Sequence, residues 1–159
     1  MRNIFILLLF QTLLFSNTFE HWNIGMSEKK VNSIAKKKSL DMINGIDISS
    51  RENTKEYNLV LFGEEAEIFL VFYRHRIFSI LVRFNKIKNQ RQLKHDIKGS
   101  LSKEFGPINS TGEIKHKKLF IKFYDKTKEF PFMGVVFLDK KISHKIQILK
   151  AADINQSLP

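Results

Sequence analysis

An α+β fold on an antiparallel sheet is the class this sequence predicts, and three observations carry the prediction. The hydrophobic period changes to two at Tyr57 and returns to a helical spacing near Asn89. Helix punctuation brackets two segments, with Ser27 ahead of the first and Gly106-Pro107 behind the second. Short polar turns separate runs rich in β-branched and aromatic residues, as hairpins require. The expected order is α-βββ-α-βββ with both helices on one sheet face. Its halves, about 19–86 and 87–150, are similar enough in length to suggest internal duplication.

Residues 1–18 come first and read as a cleavable secretory signal. Arg2 gives a basic start, Ile4 to Phe15 is nearly continuous hydrocarbon, and Ser16-Asn17-Thr18 supplies the small residues a signal peptidase takes. An uncleaved inner-membrane anchor is the alternative, although Gln11 and Thr12 interrupt the run and it falls short of the roughly 20 residues a spanning helix needs. The chain has no cysteine, so it forms no disulfide and lacks the thiol that bacterial lipoproteins acylate; no lipid anchor is expected.

Residues 19–150 should then form one domain. Ser27 caps a helix running to about Lys38, with Glu28 at its positive end and Met26 stapled onto Val31. Leu40 to Glu56 is mixed, with turn signals at Asn44-Gly45 and Ser49-Ser50 and a short strand around Ile46 to Ile48. Tyr57 to Phe62, Ile68 to Tyr73 and Ile77 to Phe84 read as strands joined by Gly63-Glu64-Glu65 and Arg74-His75-Arg76. Alternation in the last puts Phe78, Ile80, Val82 and Phe84 inward. Leu93, Ile97, Leu101 and Phe105 stripe a second helix that Gly106, as a left-handed cap, and Pro107 terminate. Glu113 to Tyr124, Phe132 to Leu138 and Ile142 to Leu149 are expected as three further strands, the last two joined at Asp139-Lys140-Lys141, before a frayed tail over 151–159.

Composition narrows function mainly by exclusion. The net charge of +11 invites nucleic acid or anionic membrane as partner. Lysine supplies 21 of the 27 basic residues, however, and arginine, which pairs bidentately with phosphate and stacks on bases, is scarce. Nucleic acid is therefore disfavoured, and weak binding to anionic lipid or polysaccharide is the more reasonable electrostatic expectation. The five histidines, His21, His75, His95, His116 and His144, show no metal-ligand spacing. Ser100 follows Gly99 inside a predicted helix and fits no nucleophile elbow, Glu64, Glu65 and Glu67 sit at a predicted hairpin tip, and no phosphate-binding glycine loop occurs. No catalytic, cofactor or metal site is expected. The candidate partner contacts are Arg74, His75, Arg76, Lys115, Lys117, Lys118, Lys140 and Lys141, which could gather at one edge of the sheet and face an acidic partner. Edge lysines also discourage aggregation without binding anything. Trp22, Tyr73 and Tyr124 would make better anchors if uncovered.

The Gly25-Met26-Ser27 helix start, Val31 beyond it, the Phe105-Gly106-Pro107 helix end and the meander after it resemble bacterial exported domains such as the small lipoprotein of the outer-membrane β-barrel assembly machine and the β-lactamase inhibitor protein. The resemblance implies a noncatalytic domain that binds another envelope protein through its sheet or loops. The missing cysteine departs from the assembly lipoprotein. Two other functional classes stay open: an envelope hydrolase built from Glu and His residues distant in sequence, and a basic binder of anionic polymer or lipid.

Overall fold

The computed structural model describes residues 22–49, 52–127 and 131–156, and the signal-like segment lies outside them. Helix α1 (Glu28–Lys37) starts where Ser27 accepts a hydrogen bond from the Lys30 amide at 3.4 Å. It ends in a Schellman motif: Leu40 N–H bonds to Ala35 O at 2.9 Å and Ser39 N–H to Lys36 O at 3.2 Å, with Ser39 in the left-handed region at φ 52°. Four antiparallel strands follow, β1 (Met42–Ser49), β2 (Glu52–Leu61), β3 (Glu64–Tyr73) and β4 (Arg76–Phe84). Then come α2 (Gln90–Phe105), β5 (Glu113–Lys115), β6 (Leu119–Tyr124), β7 (Met133–Asp139) and α3 (Lys140–Gln156). The seven strands make one sheet in the order β1-β2-β3-β4-β7-β6-β5, antiparallel throughout.

The α+β class with an antiparallel sheet is therefore observed, while the element order is α-ββββ-α-βββ-α. The expected strand over Ile142 to Leu149 is helical, and Asp139-Lys140-Lys141 is a helix start in place of a hairpin turn. Asp139 accepts a hydrogen bond from Ile142 N–H at 2.9 Å, the bond of an N-cap residue to the third helical position. The helix continues to Gln156, through most of the stretch expected to fray, and residues 157–159 lie outside the described residues. The expected Glu113 to Tyr124 strand is a hairpin, broken where His116 accepts hydrogen bonds from the Lys118 and Leu119 amides. Leu40 to Glu56, read as mixed, supplies β1 and the first half of β2.

Cross-strand rows build the core. Ile68, Val82, Val135 and Phe123 stand side by side across four strands, and Leu70, Ile80, Phe137, Ile121 and Ile114 across five, all buried. Val31 and Ala35 of α1 and Leu93, Ile97 and Leu101 of α2 belong to the same buried cluster. In β4 the inward set is Ile77, Ile80, Val82 and Phe84. Phe72 pairs with Ile77 while Val71 pairs with Ser79, so Phe78 is the extra residue of a bulge. The bulge reverses the alternation and turns Ile77 inward in place of Phe78. Gly134 sits where β7 meets β4 most closely, since a Cβ there would lie 2.5 Å from Val82 O.

Candidate functional site

Antiparallel topology decides where the basic turns go. The β3–β4 turn, the end of β7 and the β5–β6 turn all fall at one end of the sheet, because Ser79 near the start of β4 faces Leu138 and Leu119 at the start of β6 faces Asp139. Only β7 separates β4 from β6, so the nearer strands of the two basic turns lie about 10 Å apart across the sheet by the usual strand spacing. Arg74, His75, Arg76, Lys115, Lys117, Lys118, Lys140 and Lys141 are all exposed at this end.

Several of these side chains are also held within the molecule. Arg74 and His75 form a two-residue turn with φ of 50° and 60°, a conformation that Asn-Gly adopts readily and these residues adopt at a cost. The turn docks onto the start of α1: Glu28 N–H bonds to His75 O at 2.9 Å, Arg76 Nη1 donates to Gly25 O at 3.0 Å, and His75 Nδ1 lies 3.0 Å from Glu28 Oε2. Lys55 meets the other Glu28 oxygen at 2.9 Å, and Asn53 adds a weaker bond at 3.4 Å. Burial by itself would raise the Glu28 carboxyl, but the bonds from Lys55, His75 and Asn53 and the Lys55 charge outweigh it and hold it below its usual 4.5. Across the sheet, Lys140 Nζ donates to His116 O at 2.8 Å and Lys140 N–H to Lys118 O at 3.1 Å, which ties the start of α3 to the β5–β6 turn.

Beside this end lies a half-open cavity of about 340 Å³. Trp22, Ile24, Ile80, Phe105, Leu119 and Phe137 give it apolar walls, and Asn23, Glu104, His116, Lys118 and Asp139 add polar groups. The walls are braced by ring contacts: Phe105 lies 5.7 Å from Phe137 and meets His116 edge-on at 6.0 Å, and Trp22 lies 4.8 Å from Tyr57 between ring centroids. The Trp22 indole nitrogen is buried without a hydrogen-bond partner. Glu104 keeps contact with water as a residue, yet loss of solvent at the wall raises its carboxyl above 4.5. His116 Nδ1 accepts from two backbone amides, at 3.3 Å from Lys118 N and 3.1 Å from Leu119 N, so in the neutral ring the proton resides on Nε2. A neutral His116 offers a donor through Nε2, and using Nδ1 as a base would break both amide bonds. Asp139 likewise has Oδ1 committed to the cap of α3.

The remaining candidates resolve differently. Trp22 and Tyr73 are 4% and 7% exposed, so neither is an uncovered anchor, and Tyr124 is half-buried. Glu64, expected to be solvated at a hairpin tip, is 7% exposed and accepts from the Lys88 and Asn89 amides at 3.1 and 3.2 Å, which fixes the approach to α2. Glu67 is paired with Arg83 at 2.6 Å from Nε. A larger groove of about 580 Å³ runs past Leu59, Val60, Glu65, Glu67 and Lys86 at the opposite end of the β2–β3 hairpin. Among the described residues no three His, Asp or Glu side chains are grouped to hold a metal, and no helix is long and apolar enough to cross a membrane. Comparison with protein families, curated proteins and solved structures finds no match.

Sequence reading missed the cavity. Phe105 was legible only as the last residue of a helical stripe, Glu104 carried no motif, and Phe137 read as an ordinary strand residue. No local spacing links them, because they meet only when α2 ends over β7.

Proposed function

We propose that this chain is an exported, noncatalytic protein-binding module of the bacterial cell envelope that receives its partner at the basic end of the sheet. The observation that carries the reading is the convergence of three basic segments, at 74–76, 115–118 and 140–141, on one end of one sheet. The Arg74-His75 turn supports it: left-handed backbone at two non-glycine residues is costly, and such strain concentrates at functional sites. Export rests on the signal-like residues 1–18, and the envelope setting on the resemblance to exported binding domains. The arrangement of helices belongs to the same reading. The shared cluster of α1, α2 and inward strand residues supports two helices over one sheet face. Duplication has weaker support, since α3 follows β7 where a second repeat would need a strand.

Capture from envelope extracts tests the proposal, with the mature chain compared against a Lys115→Glu, Lys117→Glu, Lys141→Glu variant. A partner held by the first and lost by the second is expected. Equal recovery by both would remove the basic end from the proposal, and a native protein recovered with Met1 still attached would remove cleavage of the signal.

A second reading, hydrolysis, is favoured by Glu104, His116 and Asp139 lining one cavity. The commitments of His116 Nδ1 and Asp139 Oδ1 weigh against it, because they leave Glu104 as the one cavity carboxylate without a structural bond described for it.

A further inference from the structure

Resting on that reading, we infer that the cavity beside the basic end takes a large apolar side chain carried by an acidic segment of the partner protein. Size is the first argument. At about 340 Å³ the cavity sits at the small end of the roughly 300–1,000 Å³ typical of ligand sites, enough for one or two side chains. Chemistry is the second. Protein interfaces draw most of their affinity from aromatic or aliphatic anchors in apolar pockets ringed by polar groups, and here Trp22, Phe105 and Phe137 form walls beside Lys118. Charge complementarity is the third. The lining itself holds Lys118 with Glu104 and Asp139, and Asp139 is committed to capping α3. The exposed Lys117, Lys140 and Lys141 are close chain neighbours of lining residues, with Lys140 Nζ bonded to His116 O. The surplus is positive for the sheet end around the cavity, where Arg74, Arg76, Lys115, Lys117, Lys140 and Lys141 are exposed, so acidic residues flanking the anchor would be drawn in and would fix its direction.

The test uses a fluorescein-labelled acidic octapeptide with a central Phe-Leu pair, a twin with Ala-Ala at the centre, and a twin with lysines replacing the acids, titrated with the mature chain and followed by anisotropy. The Phe-Leu acidic peptide should bind at least about tenfold more tightly than either twin. Asn23→Trp, which adds bulk at an exposed position on the cavity wall, should weaken it about tenfold, as should Lys118→Glu. Circular dichroism of both variants confirms their fold. Equal binding of the Phe-Leu and Ala-Ala peptides would overturn the anchor while leaving the charge-based reading intact. Failure of all three peptides, with capture from extracts still sensitive to charge reversal, would overturn the acidic-segment inference alone. Displacement of the bound peptide by oleate at low micromolar concentration, with Asn23→Trp abolishing oleate binding, would assign the cavity to an amphiphile and overturn the peptide occupant. Capture insensitive to charge reversal would instead sink the underlying reading.

Discussion

Glu28 stands at the start of α1 and gathers Lys55, His75 and Asn53, so one carboxylate joins a helix, a strand and a hairpin turn. Because its folded pKa lies below the usual 4.5, its contribution is present above the unfolded value and lost as pH falls through the folded one. Glu28→Gln should therefore lower the urea midpoint at pH 7, and the gap from wild type should narrow as pH falls below 4.5; urea unfolding across that range measures it. Glu104 behaves oppositely. Its folded pKa is raised, so the protonated form is favoured in the fold and stability is lost as pH rises through the folded pKa. Glu104→Gln should melt above wild type at pH 8 and match it at pH 3 in parallel thermal scans. Gly134 provides a steric test: Gly134→Ala would place a Cβ 2.5 Å from Val82 O, and the displacement of β7 from β4 should cost about 1–3 kcal/mol in the same unfolding assay.

At the scale of elements, both ends of the helices are open to test. Ser39 holds the left-handed position of the Schellman motif, which glycine occupies without a steric penalty. Ser39→Gly should stabilise the protein by about 0.5–1 kcal/mol, read as a raised urea midpoint with an unchanged slope. Asp139→Ala should remove the cap of α3 and cost about 1 kcal/mol, with helical signal lost on circular dichroism. That capping bond also explains why α3 was hard to read. Ile142, His144, Ile146 and Ile148 occupy alternate positions as in a strand, and Asp139 is as compatible with a turn as with a helix cap. In the structure Ile146 is 7% exposed and Ile148 is 55% exposed, which a strand with both on one buried face would not give. Elements with two independent signals were legible: Ser27 with the Val31 stripe for α1, and the four-residue stripe with Gly106-Pro107 for α2. Even there Gly106 differs from the expected left-handed cap, since φ 102° and ψ −178° place it in an extended region reserved for glycine.

For the molecule as a whole, the seven-stranded sheet acts as a frame that presents one basic end and a cavity beside it. If an acidic partner docks there, association should slow and weaken as salt rises, because exposed lysines act over little more than a Debye length of about 8 Å at physiological ionic strength. The same sheet explains the limits of sequence reading for the site. The cavity takes residues from five separated stretches, from Trp22 to Asp139, and none of those stretches has a motif of its own.

By itself the sequence determined the α+β class, the two antiparallel hairpins between Tyr57 and Phe84, the extents of α1 and α2, and the absence of disulfides, because periodicity, caps and composition are local properties. Tertiary structure decided the insertion of β7 between β4 and β6, the turning of Ile77 inward by the Phe78 bulge, the helical fate of Lys140 to Gln156, and the meeting of the basic turns beside the cavity. Those outcomes depend on which strands pair and which faces they bury, and that choice is made by the summed packing of the sheet rather than by any one segment.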